Sequence, residues 1–125
     1  MKILILILQI LAAIAFIMTG MMKIFTPYED LVIMENMGWA VDFSATQITI
    51  IGILETLGGL GLILPMVLKK FTFLVPVAAL GLVLVMVGAI ITHIGREEPI
   101  IINIVLLLLT LSVAYFKRDL VLNRS

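Results

Sequence analysis

The sequence predicts an all-α integral membrane protein: an antiparallel four-helix bundle running up-down-up-down, with both termini cytoplasmic and a short amphipathic helix in the first outer loop. Three observations carry that expectation. Hydrophobic residues make up 63% of the 125 positions and the mean hydropathy is +1.32, whereas soluble domains are about 45–50% apolar. Four apolar runs approach the roughly 20 residues that a helix needs to cross a hydrocarbon core of about 30 Å. The basic residues, finally, gather on one side of those runs. The runs lack the alternating polar face of barrel strands, and the length suits one membrane domain, 1–125.

The first span is expected at about 3–25, ending before Pro27. Its apolar run is too long for the core of a signal peptide, and no Ala-x-Ala site follows it, so a retained helix is expected. The second span, at about 45–68, stops at Lys69-Lys70, and Ser44 or Asp42 is placed to cap its start. The third, at about 71–94, is closed by Gly95. The fourth, at about 99–116, opens with Pro99 in its first turn, where a missing N–H is harmless, and ends at Lys117-Arg118. Pro65 and Pro76 are expected to bend the second and third helices near their cytoplasmic ends.

Between the first two spans, Leu31, Met34 and Met37/Gly38 recur at helical spacing, away from Glu29, Asp30 and Glu35. That pattern predicts a short amphipathic helix lying at the interface or folding over the bundle mouth, with Trp39 as an interfacial anchor; a plain surface loop is the alternative. The remaining connections are short, which makes consecutive helices antiparallel neighbours.

Charge sets the orientation. Lys2, Lys69, Lys70, Lys117, Arg118 and Arg124 fall on one side, and only Lys23 and Arg96 on the other. The bias places both termini in the cytoplasm; a bacterial inner (plasma) membrane is the expected location. A net charge of zero gives no footprint for nucleic acid. The absence of cysteine excludes disulfides and thiol chemistry carried by this chain, and one histidine argues against an imidazole-built metal site. No haem or flavin motif is present.

The polar residues inside the spans carry the functional information. A charge in hydrocarbon is unfavourable by about 2.5–3.5 kcal/mol on insertion scales, so it normally has a partner or a task. Glu55 lies about ten residues into the second span, or roughly 15 Å deep at 1.5 Å per residue. Lys23 in the last turn of the first span, His93 in the last turn of the third and Asn103 near the start of the fourth all fall in the same outer half. Gln9 is the polar outlier, in the inner half. Faces agree with depth: Glu55 shares one with Gly52, Gly59 and Leu62; Lys23 with Phe16, Thr19 and Gly20; His93 with Met86, Ala89 and Ile90; Asn103 with Leu106, Leu107 and Thr110. These stripes predict an outward-opening pocket with polar groups near its mouth and apolar walls below. Gly20, Gly52, Gly58, Gly59 and Gly61 read as packing positions that let helices approach. They do not read as a phosphate loop, because no helix N-terminus or lysine follows them. Two roles stay open for Lys23 and Glu55: a register-fixing ion pair, or a set of ligand anchors.

The order Phe16-x-x-x-Gly20-x-x-Lys23, Gly52-x-x-Glu55-x-x-Gly58-Gly59-Leu60-Gly61-Leu62-x-x-Pro65, Ala78-Ala79 and Met86-x-x-Ala89-x-x-Thr92-His93 resembles the DoxX-like family of small four-helix membrane proteins. The resemblance places the family's polar positions on Lys23, Glu55 and His93. It implies links to thiosulfate:quinone oxidoreductase subunits, to oxidative-stress membrane complexes and to receptor-assembly chaperones. Three functions follow as expectations. The first is an auxiliary component without catalytic activity of its own, which binds a quinone or lipid or supports a redox or assembly partner in the bilayer, alone or as a homo-oligomer. The second is a membrane subunit of a quinone-linked oxidoreductase. The third is a small proton-coupled transporter, although small multidrug exporters carry their glutamate in the first helix and often insert in both orientations.

Overall fold

The computed structural model describes residues 2–34 and 37–122, so the expectations resting on Glu35 and Arg124 lie outside the described residues. The described chain is helical, without strands: α1 (Lys2–Phe25), α2 (Tyr28–Leu31), a 3-10 turn (Gly38–Asp42), α3 (Ala45–Leu68), α4 (Leu74–Gly95), α5 (Ile101–Phe116) and α6 (Asp119–Leu122). α1 packs on α3, α3 on α4, α4 on α5, and α5 back on α1, so the four longer helices close a ring.

The helix limits follow from local chemistry. Ser44 caps α3: its hydroxyl accepts from the Gln47 N–H at 3.1 Å, and the Gln47 side chain accepts from the Ser44 N–H at 2.9 Å. This capping box satisfies two otherwise free donors. Asp42, the other expected cap, is engaged elsewhere. At its far end α3 stops at Lys69, which adopts left-handed backbone (φ 57°, ψ 32°) and donates to the Pro65 carbonyl.

Two expectations about proline are corrected. Pro76 is the third residue of α4, where N–H groups have no intrahelical partner, so it removes no bond and starts the helix instead of bending it. Pro65, by contrast, does sit inside α3. Pro99 also stands outside its helix: α5 begins at Ile101, after Glu97 (φ 57°) and the non-helical Ile100. The residue before a proline is driven away from helical backbone, and Glu98 occupies that place. α5 therefore has 16 residues, about 24 Å at 1.5 Å per residue. Three helices, α1, α3 and α4, are long and apolar enough to cross a membrane, and α5 is a shorter apolar helix.

The connection between α1 and α3 also differs from the expected single amphipathic helix. It is a strap of two short pieces, α2 and the 3-10 turn. Leu31, Met37 and Ala40 are buried from it against Ile48 of α3, with Met22 of α1 packed beside them. The Tyr28 hydroxyl pins the strap to itself by donating to the carbonyls of Phe43 at 2.6 Å and Ala40 at 3.3 Å. Away from the strap the core consists of Ala12, Ala13, Phe16, Leu62, Val75, Ala79, Leu82, Met86 and Val113. Large apolar side chains cover the outside of the ring, among them Ile3, Leu84 and Ile91. Such a surface suits lipid.

Candidate functional site

The closest helix contact builds the site. α1 crosses α3 at Gly20 and Gly52, where a Cβ on Gly20 would lie 2.6 Å from the Gly52 carbonyl oxygen, and one on Gly52 would lie 2.7 Å from that of Gly20. Gly59 makes a similar approach to Ala13 and Ile17, and Gly58 and Gly61 meet Leu82 and Ala78 of α4. All five of these glycines stand at contacts between helices. Without a driving force between apolar helices in lipid, such small-residue contacts supply the association.

This approach brings Lys23 and Glu55 together. Lys23 Nζ donates to Glu55 Oε1 at 2.7 Å, and the two side chains are only 8% and 4% exposed. Each charge is thereby balanced by the other where little of either side chain is exposed. One carboxylate oxygen engages one of three ammonium hydrogens, so the lysine retains donors.

Above the pair, the strap contributes a residue that sequence reasoning placed elsewhere. Trp39, expected as an interfacial anchor, is half-buried in the site. Its ring lies 5.6 Å from Lys23 Nζ, and its centroid is 5.9 Å from that of His93 and 5.7 Å from that of Phe43, edge-on to both. A cation near an aromatic face is attracted by the ring quadrupole, which favours this placement. The length of the connection was the available signal, since a plain turn does not need so many residues.

His93 is near the pair but bonded to a different group. Its Nδ1 lies 2.8 Å from Glu98 Oε1, and the Glu98 N–H donates to the His93 carbonyl at 2.8 Å. A carboxylate oxygen only accepts, so Nδ1 carries the hydrogen and Nε2 is left for another partner. Arg96 joins this cluster: Nε donates to Glu98 Oε2 at 3.3 Å, and Nη1 to both Asp42 oxygens at 3.2 and 3.1 Å. The hydrogen bond from His93, with Arg96 beside it, holds the Glu98 carboxyl below the ordinary glutamate range, while Asp42 and then Glu98 raise the Arg96 guanidinium. The cluster ties the strap to the α4–α5 turn across the mouth of the bundle.

Below the mouth lies a cavity of about 420 Å³. Lys23, Glu55, Trp39, His93 and Asn103 supply its polar wall, and Ile51, Val85, Met86, Ala89 and Leu106 its apolar one. The four polar residues selected by depth thus surround one space, although only Lys23 and Glu55 bond to each other. Asn103 has no hydrogen-bond partner among the described residues. Gln9, the outlier, lies apart: its Nε2 donates to the Leu62 carbonyl at 3.0 Å, while its buried Oε1 has no partner among the described residues.

The model of the DoxX-like family matches residues 7–115. The chain belongs to the DoxX-like family. No curated protein and no solved structure gives a significant match. Family membership and the three long apolar helices make this DoxX-like protein a multi-pass membrane protein.

Proposed function

We propose that this DoxX-like protein is an auxiliary membrane component that binds a small lipophilic molecule, a quinone or lipid, in the cavity between Lys23–Glu55 and Trp39. The observation that carries the reading is a buried, charge-balanced pair whose lysine keeps spare donors, across an apolar-walled space from Asn103, whose side chain has no partner among the described residues. Ligand sites generally combine mostly apolar walls with a few convergent polar groups. A neutral carbonyl suits the donors, because Glu55 already balances the lysine charge. The molecule forms one membrane domain, in which α1, α3, α4 and α5 all span, with the strap outside and both termini cytoplasmic. α5 reaches across through local thinning of the bilayer, as short spans do. Bound ligand, presented or withheld, would then serve a membrane redox or assembly partner, and the protein itself does no chemistry. A proton-coupled transporter draws less support, since the carboxylate it needs is held by Lys23.

Native mass spectrometry and thermal shift in mild detergent, with a panel of quinones and lipids, test the reading. Retention of at least one candidate, weakened by Glu55→Gln, supports it. Binding of every candidate by Glu55→Gln as by the native protein removes the polar anchor.

A further inference from the structure

The cavity does not end where its polar groups do. Val85 lines both it and a second, almost wholly apolar groove of about 350 Å³ along the α3–α4 seam. Leu54, Leu57, Val77 and Ala78 line the groove together with Gly58, Gly61 and Gly81. Gly58 and Gly61 are small because the helices touch there. Gly81 and Gly88 differ: a Cβ on either would meet nothing within 4 Å. Packing against the rest of the chain does not require them to be glycine. Yet each faces one of the two spaces, Gly88 the polar cavity and Gly81 the groove. They lie two turns apart on α4, with Leu84 and Val85 between them on the same side. From Leu74 to Thr92 the two spaces together follow α4 for roughly 27 Å, close to the hydrocarbon thickness.

We propose that cavity and groove are one site for a single-chain amphiphile, with a neutral hydrogen-bond-accepting head on Lys23 and Asn103 and its chain passing Gly88 and Val85 to lie along the α3–α4 seam over Gly81. The proposal rests on the cavity being a ligand site, as put forward above. Val85 borders both spaces, and that adjacency selects the occupant: a chain whose head is in the cavity has this groove as its neighbouring apolar space. The single junction favours one chain over two. Moving a chain from lipid into the groove removes little surface from water, so the groove acts through contacts and shape more than through transfer from water.

The test uses benzoquinones with methyl, hexyl, decyl and hexadecyl chains, titrated into protein in nanodiscs of fixed lipid composition. Binding is read from quenching of Trp39, the single tryptophan, and corrected for partition of the probe. Affinity should rise by about tenfold from the methyl to the hexadecyl probe, the equivalent of a dozen or so carbon contacts. Gly81→Leu should remove that gain and leave the methyl probe unaffected, whereas Gly88→Leu should weaken every probe that carries a chain. Both substitutions enter open space in a helix and favour helical backbone, so loss of the fold is not expected; thermal melting verifies this. Methyl-probe binding with no gain from the chain, in native protein and Gly81→Leu alike, overturns the joined site and leaves the cavity reading standing. No saturable quenching by any probe overturns both. A native dimer that Gly81→Leu turns into a monomer assigns the seam to a second copy and also overturns the proposal.

Discussion

At the scale of single residues, the decisive feature is a buried pair that neither partner can leave alone. Removing one member of a buried ion pair costs about 3–5 kcal/mol, because the other stays charged and unpaired, while replacing both with apolar groups is often neutral. Lys23→Met alone should therefore destabilise the protein by that amount, and Lys23→Met/Glu55→Met should recover most of the loss, as measured by denaturant unfolding in mixed micelles. A double variant as unstable as the single one would contradict the account. The double variant also separates the two roles left open by the sequence, since it is expected to fold and not to bind ligand. Lys23 and Glu55 were legible because depth and helical face follow from residue numbers alone. Trp39, Asp42 and Glu98 were not: each acts through partners brought near by the fold of the connections, as in the Arg96–Asp42 pair 54 positions apart.

Among the elements, α3 and the strap set the geometry. The α3 limits were readable from its cap and its closing lysines, and its glycines from their spacing. The two short pieces of the strap were not, because Leu31 and Met37 point into a cluster with Ile48 and Met22 that no single-helix periodicity describes. Gly52→Ala puts a methyl group 2.7 Å from the Gly20 carbonyl oxygen, and overpacking of this kind typically costs about 1–3 kcal/mol. Gly81→Ala, in open space, should instead gain up to about 1 kcal/mol in helix propensity. Parallel thermal melts of the two variants check the contrast, and equal effects would contradict it. The strap has its own pH signature. Because the Glu98 pKa is lowered in the fold, its contribution to the latch is complete above the ordinary glutamate value of about 4.3 and is lost as pH falls through the lowered value. The Glu98 contribution, read as the melting temperature of the native protein minus that of Glu98→Gln, should therefore not shrink between neutral pH and that ordinary value and should be lost only below it; a difference lost near neutrality would assign the tie to a different group.

For the molecule as a whole, composition already describes a multi-pass membrane protein, and the family match agrees with that. The extent of the fourth helix was less legible, because the turn at Glu97–Ile100 depends on left-handed backbone and on the bond from Glu98 to His93, neither of which hydropathy registers. Orientation can be read cleanly because the chain has no cysteine. In intact spheroplasts, Ser44→Cys should react with an impermeant maleimide and Lys69→Cys should not; the reverse pattern would invert the topology. The central claim, that Lys23–Glu55 and Trp39 enclose a ligand site, is tested most directly by Trp39 fluorescence. Titration with a short-chain benzoquinone should give saturable quenching in the native protein and only weak, linear quenching in Lys23→Met/Glu55→Met. Linear quenching of equal slope in both proteins would contradict it.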